Sequence, residues 1–360
     1  MNYLLSLVAF LTSFIFAMVI IPWILSVAYK YFLYDIPDER KMHSKPVPRL
    51  GGISFFHCII FSVLFTYVIF HLFAGTTDRY SASSCFFLCA LLLVYVGGLK
   101  DDMIGMRTHY KLLLQFAAAL LVVFSGVYIN HFYGLFGIEA IAPWIGMPLS
   151  VLAIIFIINA MNLIDGIDGL SSGISMIALL VYGVLFLMHD VWYYAVLAFS
   201  TIGVLCVFFY YNVFGSIKKK RKLFMGDSGS MMLGLILSFL AIQYMHDVPD
   251  FIKPADNVLV VALTPLLIPA LDVLRVILLR LRRHKNIFSA DCCHIHHKML
   301  DVGLSQSMAL IFLLGLTAGF CMINFTLMLF LNTLTIFMID LVLWTVGNIY
   351  LSHLIHKKQP

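Results

Sequence analysis

The chain has 360 residues, of which 62% are apolar and 11% charged, against roughly 45–50% and about 25% in soluble domains. Its mean hydropathy of +0.99 excludes an ordinary soluble enzyme or binding module, because many apolar runs reach the roughly 20 residues that cross a hydrocarbon core. The net charge of +5 is dispersed over short loops, which speaks against a nucleic-acid surface and for a basic face against anionic lipid and anionic substrates.

About eleven apolar segments follow one another at 3–27, 51–73, 84–99, 111–129, 147–161, 171–188, 191–214, 229–245, 258–279, 306–329 and 331–353. Backbone groups in lipid must be satisfied within their own segment, so these runs are expected as helices. The fold class is therefore all-α, a polytopic membrane protein with about eleven spans forming a single domain over 1–360. Residues 3–27 are too long for a signal peptide's apolar core and lack a small-residue cleavage site, so they read as a retained helix. With the N-terminus outside, all Lys and Arg except Arg79 and Lys253 fall in the cytosolic loops and tail. That asymmetry sets the orientation. Five of the seven cysteines sit in apolar segments as small core residues. Cys292 and Cys293 lie in a loop read as cytosolic, where a structural disulfide is not expected.

The 18 acidic residues are unevenly placed. Asp101 and Asp102 end one helix. Asp165 and Asp168 follow another, in Asn159-Ala160-Met161-Asn162-Leu163-Ile164-Asp165-Gly166-Ile167-Asp168-Gly169. Asp227 stands in Phe224-Met225-Gly226-Asp227-Ser228-Gly229-Ser230 ahead of the next helix, and Asp272 lies inside an apolar one. Taken singly, each has a bland reading as a cap, a solvated turn or an internal ion pair, Arg275 being one turn from Asp272. Under the charge-derived topology all four groups fall on or near one membrane face, and that convergence points to a functional site. Adjacent carboxylates such as Asp101 and Asp102 need a cation or donors to stay ionised. Carboxylate and amide oxygens suit Mg2+, which usually keeps waters and binds substrate phosphates. The glycine-serine turn beside Asp227, with a helix N-terminus expected near 229, would seat an anion.

A second cluster is Asp291-Cys292-Cys293-His294-Ile295-His296-His297-Lys298, in a loop with Arg280, Arg282, Arg283 and Lys285. Three readings stand side by side: anion recognition, a zinc site of thiolate and imidazole, and a merely solvated basic loop. Zinc is disfavoured because the ligands are crowded and no second pair accompanies them.

At these residues the chain resembles the polyprenyl-phosphate N-acetylhexosamine-1-phosphate transferases. It is most similar to the bacterial undecaprenyl-phosphate N-acetylglucosaminyl-1-phosphate branch that initiates O-antigen, common-antigen or teichoic-acid linkage synthesis. The motifs carrying the resemblance run from His43-Ser44-Lys45-Pro46-Val47-Pro48-Arg49-Leu50-Gly51-Gly52 through Asp101-Asp102 with Lys111-Leu112-Leu113-Leu114-Gln115, Asn159 to Gly169, Asn212, Phe224 to Ser230 and Pro269 with Asp272, to His294-Ile295-His296-His297. The resemblance implies a multi-pass transferase of the bacterial inner membrane with its site on the cytosolic face. The expected reaction moves sugar-1-phosphate from a UDP-N-acetylhexosamine to a polyprenyl phosphate and releases UMP. The expected cofactor is Mg2+, with Mn2+ as the alternative ion. The resemblance further implies that Asp227 ligates the metal while Asp101 and Asp102 handle the lipid phosphate. Lys45 and Lys111 would contact phosphates, and His294, His296 and His297 would grip the donor diphosphate. Asn162, Asp165 and Asn212 would frame the nucleotide, with Asn159 among the substrate-binding residues. Membrane lipid is an expected partner, and a homodimer is compatible with the family; nucleic acid is not expected.

Two features depart from or add to the pattern. Cys292 stands where relatives of this branch carry arginine, removing a bidentate phosphate contact for which Arg282 or Arg283 could substitute. The run Lys218-Lys219-Lys220-Arg221-Lys222 is expected to face anionic lipid. The rival branch that transfers phospho-N-acetylmuramoyl-pentapeptide ends its motif in three consecutive histidines, unlike His-Ile-His-His here. An ion-coupled transporter, suggested by Asp272, would place its site near the midplane between repeated halves, and no repeat is evident. A non-catalytic scaffold is the remaining alternative.

Overall fold

A computed structural model describes residues 1–34, 46–74, 82–247, 257–286 and 293–358. The helices are α1 (Asn2–Lys30), α2 (Gly51–Ala74), α3 (Ala82–Ile104), α4 (Thr108–Phe124), α5 (Pro143–Ile164), α6 (Leu170–Met188), α7 (Trp192–Val213), α8 (Gly226–Asp247), α9 (Val258–Leu263), α10 (Leu267–Arg282), α11 (Ile295–Asp301), α12 (Gln306–Leu327) and α13 (Thr333–Lys358). Among the described residues ten spans are long and apolar enough to cross a membrane, α9 and α10 together making one of them, and α4 is a shorter apolar helix. The chain is an all-α, multi-pass membrane protein, as its hydropathy predicts.

The fourth apolar segment differs from expectation. Instead of running over 111–129 it is the 17-residue helix α4. Ser125 ends it by donating its hydroxyl to the Val122 carbonyl at 2.6 Å, and Gly126 follows with φ 95°, a backbone conformation that glycine adopts without steric cost. The chain then makes a compact excursion with a 3-10 turn at Leu135–Gly137 and an isolated antiparallel bridge between His131 and Ala140. In the ninth span, Pro265 lacks an N–H to continue the helix, and a 3-10 turn at Thr264–Leu266 joins α9 to α10.

α8 is the axis of the bundle. Its apolar stretch is wholly buried, packed by α2, α3, α5 and α6, as expected of a helix apolar all round. A Cβ at Gly234 would meet the Ile158 backbone of α5 at 2.5 Å. This is the close small-residue packing that substitutes for a hydrophobic drive inside lipid. α1 and α7 form the neighbouring pair. The functional consequence lies at one end of α8, where its N-terminus meets the N-terminus of α2 and the C-terminus of α3. There Gly51 and Gly52 donate their N–H groups to Phe224 and Met225 carbonyls at 3.0 Å each.

Candidate functional site

The N-terminus of α8 carries Asp227 in its first turn. The exposed N–H groups of such a turn form an anion site, and the anion that fills it is Asp102 of α3. Asp102 accepts from Asp227 N at 2.7 Å, Ser228 N at 3.0 Å and Ser228 Oγ at 2.6 Å. These donors, expected to face substrate, are thus taken by the protein itself. Glycines make the approach possible: side chains at Gly52 or Gly98 would collide with Ser228 and its neighbours.

Asp101, on the preceding position of α3, reaches elsewhere. Lys111 Nζ of α4 lies 2.8 Å from Asp101 Oδ2 and 3.2 Å from Asp227 Oδ1, bridging the two carboxylates. Asn162 of α5 donates its amide to Asp227 Oδ1 at 2.5 Å and to Ser230 Oγ at 2.8 Å. Arg49 stands 3.7 Å from Asp227 Oδ2. Asp227 is therefore a carboxylate surrounded by donors, with one oxygen facing a longer-range cation. Among the described residues no three His, Cys, Asp or Glu side chains gather into a metal cage. Asp227 and Asp101, bridged by Lys111, are the carboxylates that a hard, oxygen-seeking cation such as Mg2+ could meet beside substrate phosphates.

The segment after α5 is fastened from the opposite side. Gly169, at φ 82°, donates its N–H to Asn212 Oδ1 at 2.6 Å, and Asn212 Nδ2 donates to Leu223 O at 2.9 Å. Lys222 is buried; it donates to Asp168 Oδ2 at 2.6 Å and to the Asn212 carbonyl. Asn212 thus spends its side chain on backbone, and Lys222 turns inward while Lys218 to Arg221 stay exposed. Asp165 caps α5. Burial pushes its carboxyl up to about 8, opposed by Arg49 and reinforced by the charges of Asp168, Asp227 and Asp102.

The histidines do not lie in a plain loop. His294 is the N-cap of α11, and Asp272 of α10 holds that end. Asp272 Oδ2 lies 2.8 Å from His294 Nδ1, and its Oδ1 accepts from Ile295 N at 3.0 Å and from Arg275 Nη2 at 2.8 Å. Arg275 also donates to the Cys293 carbonyl. Asp272 therefore works as Asp102 does, a carboxylate on one helix ordering the first turn of another. His296 is 1% exposed, and among the described residues neither of its ring nitrogens has a hydrogen-bond partner. Its ring lies parallel to His294 at 6.0 Å and tilted against His297 at 4.2 Å. A Cβ at Gly166 would fall inside that ring. Burial, with the neighbouring His297 charge, brings His296 down to about 3, so the ring is neutral.

A cleft of about 890 Å³ joins these parts. Lys111, Asn159, Asn162, Arg280 and the three histidines form its polar lining, while Leu149, Leu152, Phe156, Val273 and Ile277 from α5 and α10 supply an apolar wall. Asn159 donates to Gln115 Oε1 at 2.6 Å. Of the arginines near the histidines, Arg280 lines the cleft, whereas Arg282 and Arg283 are exposed. Sequence reasoning left Arg49, Ser230 and Lys222 without site roles; Arg49 lay within a quoted motif, and nothing in the lysine run distinguished its last member. Lys45, Asp291 and Cys292 lie outside the described residues.

Fold and site together define a polytopic membrane protein with a lysine-bridged carboxylate centre and a histidine cluster around one cleft. The glycosyl transferase family 4 model matches residues 84–245, the stretch from α3 through α8. The chain is 28% identical over 311 residues to the probable undecaprenyl-phosphate N-acetylglucosaminyl 1-phosphate transferase of Bacillus subtilis (strain 168), covering 86% of this chain and 81% of that protein. It is 28% identical to the undecaprenyl-phosphate alpha-N-acetylglucosaminyl 1-phosphate transferase of Escherichia coli (strain K12), over 86% and 78% of the two chains. The protein of the same name from Yersinia pestis is 28% identical over 90% and 85%. The resemblance drawn from the motifs is borne out by these similarities.

Proposed function

We propose that the chain transfers N-acetylglucosamine-1-phosphate from UDP-N-acetylglucosamine to undecaprenyl phosphate, releasing UMP, on the cytosolic face of a bacterial inner membrane. The observation that carries this reading is the cleft, where an apolar wall from membrane-spanning helices leads to Lys111 and Asn162, two of the residues that hold Asp227. A polyprenyl chain can lie along that wall while its phosphate meets Lys111. The histidines and Arg280 line the same cleft and offer donors to a second, polar substrate. The names of the similar proteins agree with this pairing of a lipid phosphate and a sugar phosphate.

In the proposed reaction, an oxygen of the lipid phosphate attacks the sugar-bearing phosphorus of the donor. A new P–O bond forms there as the bond to the bridging oxygen breaks, and UMP leaves with that oxygen. The nucleophile is already anionic, so the task is charge neutralisation and in-line placement. Lys111 would hold the acceptor phosphate beside Asp101, and Asp102 would hold the α8 turn that presents Asp227. Asp227, alone or with Asp101, would hold Mg2+, which when bound would neutralise the donor diphosphate. The same face in the positive-inside orientation would be cytosolic, where nucleotide sugars are found.

Purified protein with Mg2+, undecaprenyl phosphate and UDP-N-acetylglucosamine should release UMP. Absence of release with every UDP-N-acetylhexosamine, from folded protein, would overturn the proposal, as would ion-driven uptake into proteoliposomes without turnover. Omitting Mg2+ should stop release, and Mn2+ should restore it in part.

A further inference from the structure

We infer a second lipid site, for an anionic glycerophospholipid of the surrounding bilayer, in a groove between α1, the end of α7 and the turn 216–221. The groove holds about 620 Å³ and is separate from the cleft above, sharing none of its residues. Pro22, Ser26 and Lys30 recur every fourth residue of α1 and so share one face. The first two are small and leave a notch that runs down from Lys30 for about 12 Å, two helical turns. Leu25, Tyr29 and Tyr211 supply apolar walls, and Lys219, Lys220 and Arg221 close the mouth beside Lys30.

The mouth is built to be cationic. The turn is set by Arg221 N donating to Ser216 O and Lys220 N donating to Ile217 O, each at 3.0 Å. Lys220 takes φ 55°, an uncommon backbone state for a side chain-bearing residue. It brings the ammonium over the Tyr29 ring, 5.5 Å from the centroid. Among the described residues, none of the four cations is ion-paired with a carboxylate. Four cations without a carboxylate partner among the described residues, at a groove also lined by Leu25, Tyr29 and Tyr211, match one ligand chemistry, a phosphate diester with hydrocarbon attached. A free phosphate would use the mouth but not the notch. The next residue, Lys222, is the one bound to Asp168 and the Asn212 carbonyl, so lipid here would brace the strand of chain leading to Asp227.

The test is native mass spectrometry of delipidated protein with phosphatidylglycerol and phosphatidylcholine in competition. Wild type should retain phosphatidylglycerol at least about tenfold over phosphatidylcholine. Two separate changes should each abolish the preference: the combined Lys219→Glu, Lys220→Glu and Arg221→Glu, and Ser26→Trp, which fills the notch without altering charge. Lys220→Ala should weaken the preference if the triple variant does not fold. Equal retention of both lipids by wild type, or a preference untouched by Ser26→Trp, would overturn the inference. Displacement by inorganic phosphate would reassign the mouth to a free anion, and displacement by undecaprenyl phosphate would reassign the groove to the acceptor; either would overturn it.

Discussion

The carboxylate of Asp102 accepts the backbone N–H of Asp227 at 2.7 Å, so one of two adjacent acids on α3 builds the frame in which the acid of α8 stands. Its neighbour Asp101 instead meets Lys111. The pair therefore divides into a carboxylate that orders the α8 turn and one that meets Lys111.

That division predicts opposite signatures for the two acids. Asp102→Ala strips an acceptor from three donors at once and leaves buried N–H groups unsatisfied, a loss of about 1–3 kcal/mol or more. It should lower the thermal unfolding midpoint and turnover together. Asp101→Asn should reduce UMP release by at least about 100-fold while leaving the midpoint near wild type. Equal midpoints for the two variants would show that Asp102 does not brace α8.

Gly166 is predicted to be required for space beside His296. Gly166→Ala forces the buried ring to move, and a displacement near 1 Å at a reacting site costs on the order of 100-fold in rate. Because the penalty comes from one collision, Gly166→Ala combined with His296→Ala should be no worse than His296→Ala alone. Turnover of the three variants measures this directly. Additive losses would mean that the glycine acts through its turn and not through the ring.

Much of the bundle was legible because length and apolarity alone define a span, and the positive charges marked one end of it. The convergence of Asp101, Asp165, Asp227 and the histidines at one end followed from alternating passes. What stayed hidden was which atoms each acid faces. Asp101 and Asp102 are consecutive, yet helix geometry turns them about 100° apart, one toward Lys111 and one toward the α8 turn. Asn212 and Lys222 read as a substrate contact and a lipid-facing charge, and the structure joins them to backbone and to Asp168. The short α11 was invisible because its first turn is organised by Asp272, 23 residues away. The end of α4 turned on Ser125 and Gly126, a local stop signal that the apolar run around it masked.

Asp165 and His296 set opposite pH slopes on stability. Asp165 is pushed up to about 8 in the fold, above the roughly 3.9 of an unfolded aspartate. The native state then holds the extra proton, so this contribution is full below about pH 4 and is lost as pH rises through 8. His296, held down near 3 against about 6.5 when unfolded, contributes fully above pH 6.5 and loses it as pH falls through 3. Unfolding midpoints of Asp165→Asn should decline less than wild type between pH 5 and 8. Those of His296→Ala should decline less than wild type between pH 6.5 and 4. Parallel curves would contradict the burial of either group.

Lys111 should be the least replaceable cation of the site, because it touches Asp101 and Asp227 at once and also lines the cleft. Lys111→Met leaves two carboxylates facing each other without the charge between them and removes the cation proposed to meet the acceptor phosphate. Turnover should fall at least about 100-fold, with the concentration of undecaprenyl phosphate needed for half-maximal rate rising as well. Lys111→Arg should not restore it. A planar guanidinium places its donors in a fixed fork and cannot reproduce a point charge shared between two acids. If Lys111→Arg recovers wild-type turnover, charge alone matters at this position and the bridging geometry does not; if Lys111→Met leaves the half-maximal lipid concentration unchanged, Lys111 orders the acids without meeting the acceptor.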